Sequence, residues 1–331
     1  MSYVAVIGAG SWGTTLAALL ADKGYDTTLW THEAELAQSI NAERTNHLFL
    51  PGQTLPPLLR ATDDLSAALS GARFVLNAVP TQHIRSVFTN TAPLLSPETV
   101  LVSAAKGIEI TTFKTPSMIL AELLGRPVAA LSGPSFAKEV LARQPTAVTL
   151  ATSNVTVGYM LQELFNTDFF RVYTHDDVIG VEIGGALKNV IAIASGISDG
   201  LGLGHNARAA LITRGLSEIK RLGAAFGTRD ITFSGLSGIG DLLLTCTALL
   251  SRNYSVGFKL GQGLSLTEIT SQSKSVAEGV PTALAAHQFA RTNTIEMPIT
   301  EQVYLTLYEG KLPADAVRDL MTRSLRAEFD G

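Results

Sequence analysis

The stretch that decides the fold is Tyr3-Val4-Ala5-Val6-Ile7-Gly8-Ala9-Gly10-Ser11-Trp12-Gly13. An apolar strand-like run enters a G-x-G-x-x-G turn, and the helical pattern Trp12 to Lys23 opens directly behind it. Gly8 permits the tight turn, Gly10 lets main chain approach a pyrophosphate, and Gly13 lets helix and sheet pack closely. The free N–H groups of the helix start then face the anion. The strand before and the helix after raise this motif above an isolated glycine-rich turn, so it reads as a dinucleotide site.

Outward from it, the first half alternates short β-branched runs with helical patterns. Further strands are expected at Thr27 to Trp30, Phe74 to Val79, Thr99 to Ser103, Val128 to Leu131, Ala147 to Ala151 and Phe169 to Tyr173. Parallel strands need helical crossovers, and strands covered on both faces read as unbroken apolar runs, as Phe74-Val75-Leu76 does. The expected fold is therefore α/β, a doubly wound and mostly parallel sheet, followed by an all-α second domain. Helical patterns run over Val178 to Ser198, Ala207 to Ala225, Gly238 to Cys246, Ser255 to Gln262, Leu266 to Gln272, Val280 to Thr292, Ile299 to Tyr308 and Pro313 to Leu325. The boundary is placed near residue 180, giving units 1–180 and 181–331, with Val178 to Ser198 as a spine between them.

Composition narrows the function. The 331 residues are 46% hydrophobic and 16% charged, which excludes a disordered or coiled-coil chain. Lys plus Arg number 25 against 29 Asp plus Glu, and no block of like charge offers a face for nucleic acid or anionic lipid. No uninterrupted apolar run approaches the ~18 residues of a membrane span, and no basic segment precedes the first apolar run, so the expected location is the cytoplasm. Cys246 has no cysteine partner and is assigned to packing. The histidines and Cys246 show no metal-ligand spacing; His175-Asp176-Asp177 reads as a polar turn after a strand.

Ligands of open α/β sheets sit outside the carboxyl ends of the strands, which directs attention to the polar residues there. The tip of the second strand reads Leu29-Trp30-Thr31-His32-Glu33. His32 is suited to a 2′-phosphate and Glu33 to a ribose hydroxyl, leaving both NAD and NADP open. Lys106, just past a strand, meets either an anion or water. Gly133-Pro134-Ser135 forms either a ligand-facing turn or a plain helix start with Ser135 as cap. Lys188 stands in Ile183-Gly184-Gly185-Ala186-Leu187-Lys188-Asn189-Val190-Ile191. A lysine so flanked must snorkel, pair or serve a site, and burial would lower its pKa toward the range useful for proton transfer. Asp241 and Thr245 are four residues apart and share a helix face, where Asp241 is a candidate partner for Lys188. Ser251-Arg252-Asn253 offers a guanidinium between two neutral polar groups, the chemistry that suits a phosphate or carboxylate.

Taken in order, these residues resemble the bacterial NAD(P)-dependent glycerol-3-phosphate dehydrogenases. Matching stretches include Gly8 to Gly13, Leu48-Phe49-Leu50-Pro51, Lys106-Gly107, Ser132 to Glu139, Gly180 to Ile193, Asn206-Ala207-Arg208, Thr213 to Leu216, Gly238 to Cys246, Ser251 to Asn253, Val276 to Gly279 and Glu296 to Ile299. The resemblance implies a Rossmann-type domain and a helical domain like that of 6-phosphogluconate dehydrogenase. It implies cofactor contacts at Ser11, Trp12, His32, Lys106, Ala137, Arg252, Val276 and Glu278. It implies substrate contacts at Lys106, Gly133, Ser135, Lys188, Asp241, Ser251, Arg252 and Asn253, with Lys188 as acid/base and Lys106 on the other side of the substrate. The implied reaction interconverts dihydroxyacetone phosphate and sn-glycerol 3-phosphate for phospholipid synthesis, in a homodimer without a metal. Ala105 and Ser135 stand where the family often has Thr, and Glu33 stands where a basic residue would favour NADPH. A two-domain dehydrogenase of hydroxy or sugar acids and a non-catalytic NAD(P)H sensor are the competing readings.

Overall fold

A computed structural model describes residues 2–271, 276–325 and 327–328. The chain begins β1 (Tyr3–Ile7), α1 (Ser11–Asp22), β2 (Asp26–Trp30), α2 (Ala34–Glu43), β3 (Leu59–Thr62), α3 (Leu65–Leu69), β4 (Phe74–Asn77) and α4 (Thr81–Phe88). It continues through β5 (Val100–Ser103), α5 (Pro116–Leu124), β6 (Val128–Ser132), α6 (Ala137–Leu141), β7 (Thr146–Ala151), α7 (Val155–Phe165) and β8 (Phe170–His175). Helices follow: α8 (Val178–Gly200), α9 (Gly204–Ala225), α10 (Asp241–Thr247), α11 (Arg252–Gly261), α12 (Leu266–Ser271), α13 (Gly279–Thr292), α14 (Pro298–Tyr308) and α15 (Pro313–Met321).

The strands form one sheet in the order β3-β2-β1-β4-β5-β6-β7-β8. All neighbours are parallel except β6 and β7, so the mostly parallel expectation holds with one reversal. Alternate residues of each strand feed opposite layers: Val4, Val6 and Leu29 pack with α1 and α7, while Ala5, Ile7 and Trp30 pack with α3, α4 and α5. β3 escaped the sequence reading. It is a short edge strand whose Arg60 faces solvent and pairs with Asp26, so it carries neither a continuous apolar run nor a long alternation. The last helix stops at Met321, short of Leu325, and the expected end of α12 at Gln272 lies outside the described residues.

α8 is the centre of the second core. It is long and apolar enough to pass for a membrane span, yet 89% of that window is buried inside the fold, which makes it a core helix. Asp177, in the polar turn expected there, caps it by accepting from Gly180 N at 2.9 Å. Gly184 and Gly185, awkward in a helix by propensity, are explained by contact. A Cβ on Gly184 would meet Ser237 O at 2.5 Å, and one on Gly185 would meet Ser132 Oγ at 2.6 Å. Farther along, Gly196 and Gly200 of α8 face Gly257 and Gly261 of α11, and a Cβ on any of the four would strike main chain of the other helix. The two backbones therefore cross in direct contact. Cys246 is fully buried, as its packing role requires.

Candidate functional site

A cavity of about 1140 Å³ opens between the carboxyl edge of β1 to β6 and the helices α8, α10 and α11. Its near wall is the glycine loop. Gly8 has φ +112°, and a Cβ there would lie 2.8 Å from the Ala78 main chain, so only glycine closes this turn. Gly10 has open space where a side chain would be. Asn46, fully buried, holds the loop by donating to Ala9 O at 2.9 Å and Thr14 Oγ1 at 2.8 Å, while Ser11 Oγ donates to Phe49 O at 2.8 Å. An open, glycine-lined helix start fits the pyrophosphate of a dinucleotide. Two buried polar atoms beside the cavity lack a protein partner, Trp12 Nε1 and Glu278 Oε2.

At the far wall, Asp241 opens α10 and is 1% exposed. One carboxylate oxygen accepts from Lys188 Nζ and the other from Lys106 Nζ at 2.7 Å. Lys188 Nζ also donates to Thr245 Oγ1 at 2.9 Å, and Lys106 Nζ to Gly133 O at 3.0 Å. Burial lowers the Lys188 pKa to about 8; the Asp241 charge works against that shift and Lys106 adds to it. Burial pushes Asp241 up, but the two ammoniums outweigh it and leave its pKa below the ordinary value. The result is a carboxylate that stays ionised between two lysines, one of them poised to exchange a proton near neutral pH.

Next to this cluster, Ser251 caps α11 by accepting from Tyr254 N at 3.2 Å, leaving Arg252 at the first helical position and on the cavity wall. Asn253 is held from both sides: its Nδ2 donates to Asn189 Oδ1 at 2.8 Å, and its Oδ1 accepts from Gly279 N at 2.9 Å. Asn189 Nδ2 in turn donates to Lys106 O at 3.2 Å. A chain of amides thus ties the Lys106 loop to α8, α11 and the start of α13. Beside it, burial raises the Glu278 pKa to about 7, against hydrogen bonds from Thr81 and the pull of Arg252.

Most residues named from sequence converge here. Gly8, Gly10, Ser11, Trp12, Gly13, His32, Lys106, Ser135, Ala137, Lys188, Thr245, Ser251, Arg252, Asn253, Val276 and Glu278 line one cavity, and Asp241 and Gly133 lie just behind Lys106. The structure decides details that the sequence left open. Lys106 shares the carboxylate that Lys188 binds, because β5 and β6 end side by side beneath α8. Ser135 is not the cap of α6: its hydroxyl donates to Gly133 O at 3.0 Å, and Phe136 occupies the cap position. Asp241 and Thr245 are also bonded directly, Thr245 Oγ1 donating to Asp241 O at 2.6 Å. Asn189 and Asn46 were missed as supports. The signal for Asn189 was its amide beside Lys188 in an otherwise apolar run; Asn46 carried none. No cluster of potential metal ligands occurs among the described residues.

The chain matches the models of the NAD-dependent glycerol-3-phosphate dehydrogenase N-terminus over residues 3–157 and C-terminus over residues 177–318. It is 56% identical over 329 residues to a glycerol-3-phosphate dehydrogenase [NAD(P)+] of Geobacter sulfurreducens, covering 98% of each chain. It is 49% identical to the like-named protein of Geobacillus kaustophilus, covering 100% of this chain and 97% of that one. Among solved structures, glycerol-3-phosphate dehydrogenase from Coxiella burnetii superposes with a TM-score of 0.94 at 43% identity, over 97% of this chain and 99% of that chain. With the dinucleotide loop and the lysine-carboxylate cluster on facing walls of one cavity, the chain belongs to the NAD-dependent glycerol-3-phosphate dehydrogenase family.

Proposed function

We propose that the protein reversibly reduces dihydroxyacetone phosphate to sn-glycerol 3-phosphate, the backbone of phospholipids, in the cytoplasm and as a homodimer. Residues 1–180 bind the dinucleotide and residues 181–331 complete the substrate site. The observation that carries the reading is the buried Lys188–Asp241 pair at the cavity wall beside Arg252. When bound, NAD(H) or NADP(H) supplies or accepts the hydride. It would be held by Gly8 to Gly13, His32, Ala137, Val276 and Glu278.

The chain's own part is charge and position. Arg252 and Asn253 hold the substrate phosphate, and that non-reacting contact helps to fix the ketone against Lys188. As negative charge grows on the ketone oxygen, the Lys188 ammonium stabilises it and delivers the proton, a contribution of roughly 10² to 10⁴-fold. Asp241 keeps Lys188 charged and aimed, Thr245 fixes the direction of its remaining N–H bonds, and Lys106 adds positive potential. In oxidation neutral Lys188 removes the proton.

Initial rates with dihydroxyacetone phosphate, followed by loss of reduced-nicotinamide absorbance, test this. Turnover far above that with hydroxy-acid or sugar-acid substrates is expected. Turnover confined to those acids, or tight cofactor binding without turnover, would replace the assignment.

A further inference from the structure

Asn206-Ala207-Arg208 is one of the stretches that carry the resemblance, yet none of the three residues lines the cavity. The arginine is engaged elsewhere. Arg208 Nη1 donates to Asp199 Oδ2 at 2.6 Å, and its Nη2 lies 2.6 Å from His205 Nδ1. The same Asp199 oxygen accepts from the Tyr254 hydroxyl at 2.5 Å. Tyr254, 5% exposed, belongs to the first turn of α11, where its N–H donates to the Ser251 cap. Burial first, then the bond to Asp199 and its charge, push the Tyr254 pKa up to about 12, so the hydroxyl keeps its proton and remains a donor.

α8 and α11 run side by side in the same direction. Asn253 meets Asn189, Gly257 faces Ile193 O and Gly261 faces Ile197 O, each pair about one turn beyond the last. By the same register Arg252 is level with Lys188, and both are on the cavity wall. The glycines let the two backbones touch but give the crossing no interlocking side chains, so close approach alone does not fix how far one helix is slid or rolled on the other. Polar bonds do. Near the cavity the Asn189–Asn253 amide pair sets the register. About 16 Å farther along α8 than Lys188, Asp199 holds the Tyr254 hydroxyl, and Arg208 of α9 braces Asp199 from outside the pair.

We propose that Arg208 is a positioning residue for phosphate recognition: through Asp199 and the Tyr254 hydroxyl it fixes the register of α11 on α8, and thereby the height of Arg252 beside Lys188. A carboxylate shared by a guanidinium and a phenol is held in one orientation, and bonds to an ionised group are the stronger ones, so the tyrosine ring becomes a strut between the two helices. Without Arg208 the carboxylate is free to turn to water, and the first turn of α11 gains freedom to shift with Arg252 on it. The inference rests on the phosphate role proposed above for Arg252 and goes beyond it by naming what sets that side chain's place.

Initial rates with dihydroxyacetone phosphate and with dihydroxyacetone, which lacks the phosphate, separate placement of the phosphate group from damage to the fold or the chemistry. Arg208→Met and Tyr254→Phe should each raise KM for the phosphate ester by about tenfold, while kcat/KM for dihydroxyacetone shifts by no more than about twofold. The double variant should be no worse than either alone, because both changes break one path, and Arg208→Lys should recover most of the loss. Tyr254→Phe removes a single oxygen and decides the matter if Arg208→Met does not fold. An unchanged KM for the ester in either variant, or parallel losses on both substrates, overturns the proposal. A wild type that turns over dihydroxyacetone as well as the ester overturns instead the phosphate role from which the inference starts.

Discussion

Lys188 illustrates how one residue carries two opposed requirements. It must be buried to shift toward neutrality and paired to remain charged, and α8 satisfies both by presenting it to Asp241 inside the protein. Because its pKa lies at about 8, the ammonium needed for ketone reduction is lost as pH rises through that value. The rate of reduction should therefore fall above about pH 8 while oxidation gains over the same range, read from pH profiles of kcat in both directions. Lys188→Ala should lose most of kcat, by roughly 10² to 10⁴-fold, with cofactor affinity measured by fluorescence little altered; near wild-type turnover would remove Lys188 from the chemistry. Arg252→Ala should instead raise KM for dihydroxyacetone phosphate, and an unchanged KM would cancel the phosphate assignment.

Among the elements, the glycine loop, Lys188 and the Ser251-Arg252-Asn253 stretch were readable because local chemistry marks them: a turn needing glycine, a charge in an apolar run, a guanidinium between two neutral polar groups; that Ser251 caps α11, ahead of the expected start at Ser255, was not. The sharing of Asp241 by Lys106 and Lys188 was not readable, since it depends on β5, β6 and α8 converging from separate parts of the chain. β3 was hidden by being a short edge, and the four glycines between α8 and α11 were hidden because each looks like a helix defect until its neighbour is known. Their contact makes a strong prediction. Gly257→Ala would drive a methyl group into the Ile193 main chain, forcing α11 off α8 at a cost of about 1–3 kcal/mol or more. Since α11 begins at Arg252, KM for dihydroxyacetone phosphate should rise together with the drop in melting temperature. A variant with lowered melting temperature and unchanged KM would show that the crossing supports stability without placing the phosphate group.

The whole molecule stores several ionisable carboxyls in its interior. Glu182 of α8 accepts from Ser117 N at 2.8 Å at the start of α5, tying spine to sheet domain, and Glu218 of α9 accepts from Thr300 N at 3.0 Å at the start of α14. Burial raises both, like Glu278, to about 7 despite these donors. In the unfolded chain they titrate near 4.5, so between about 4.5 and 7 the folded state binds more protons than the unfolded one. Their contribution to stability is then fully present below that window and lost as pH rises through it. Lowered His287 acts in the opposite sense, one imidazole against three carboxyls. Urea midpoints should decline from about pH 5 to about pH 7.5, and the decline should shrink in Glu182→Gln; a midpoint that climbs over this range would contradict the buried-carboxyl account.

The single antiparallel step between β6 and β7 has a consequence for the placement of the proton donor. Because of it, β8 ends at His175 level with Ala151 and hence with Ala130, partway down β6. The next helix sets out from below the rim and passes Ser132, the last residue of β6, at Gly185, so that Lys188, about one turn further on, reaches the cavity wall. Without that turnabout the same helix would start at the rim and lift its amine clear of the chamber, so one backward strand acts as the gauge that decides how high the reactive nitrogen stands.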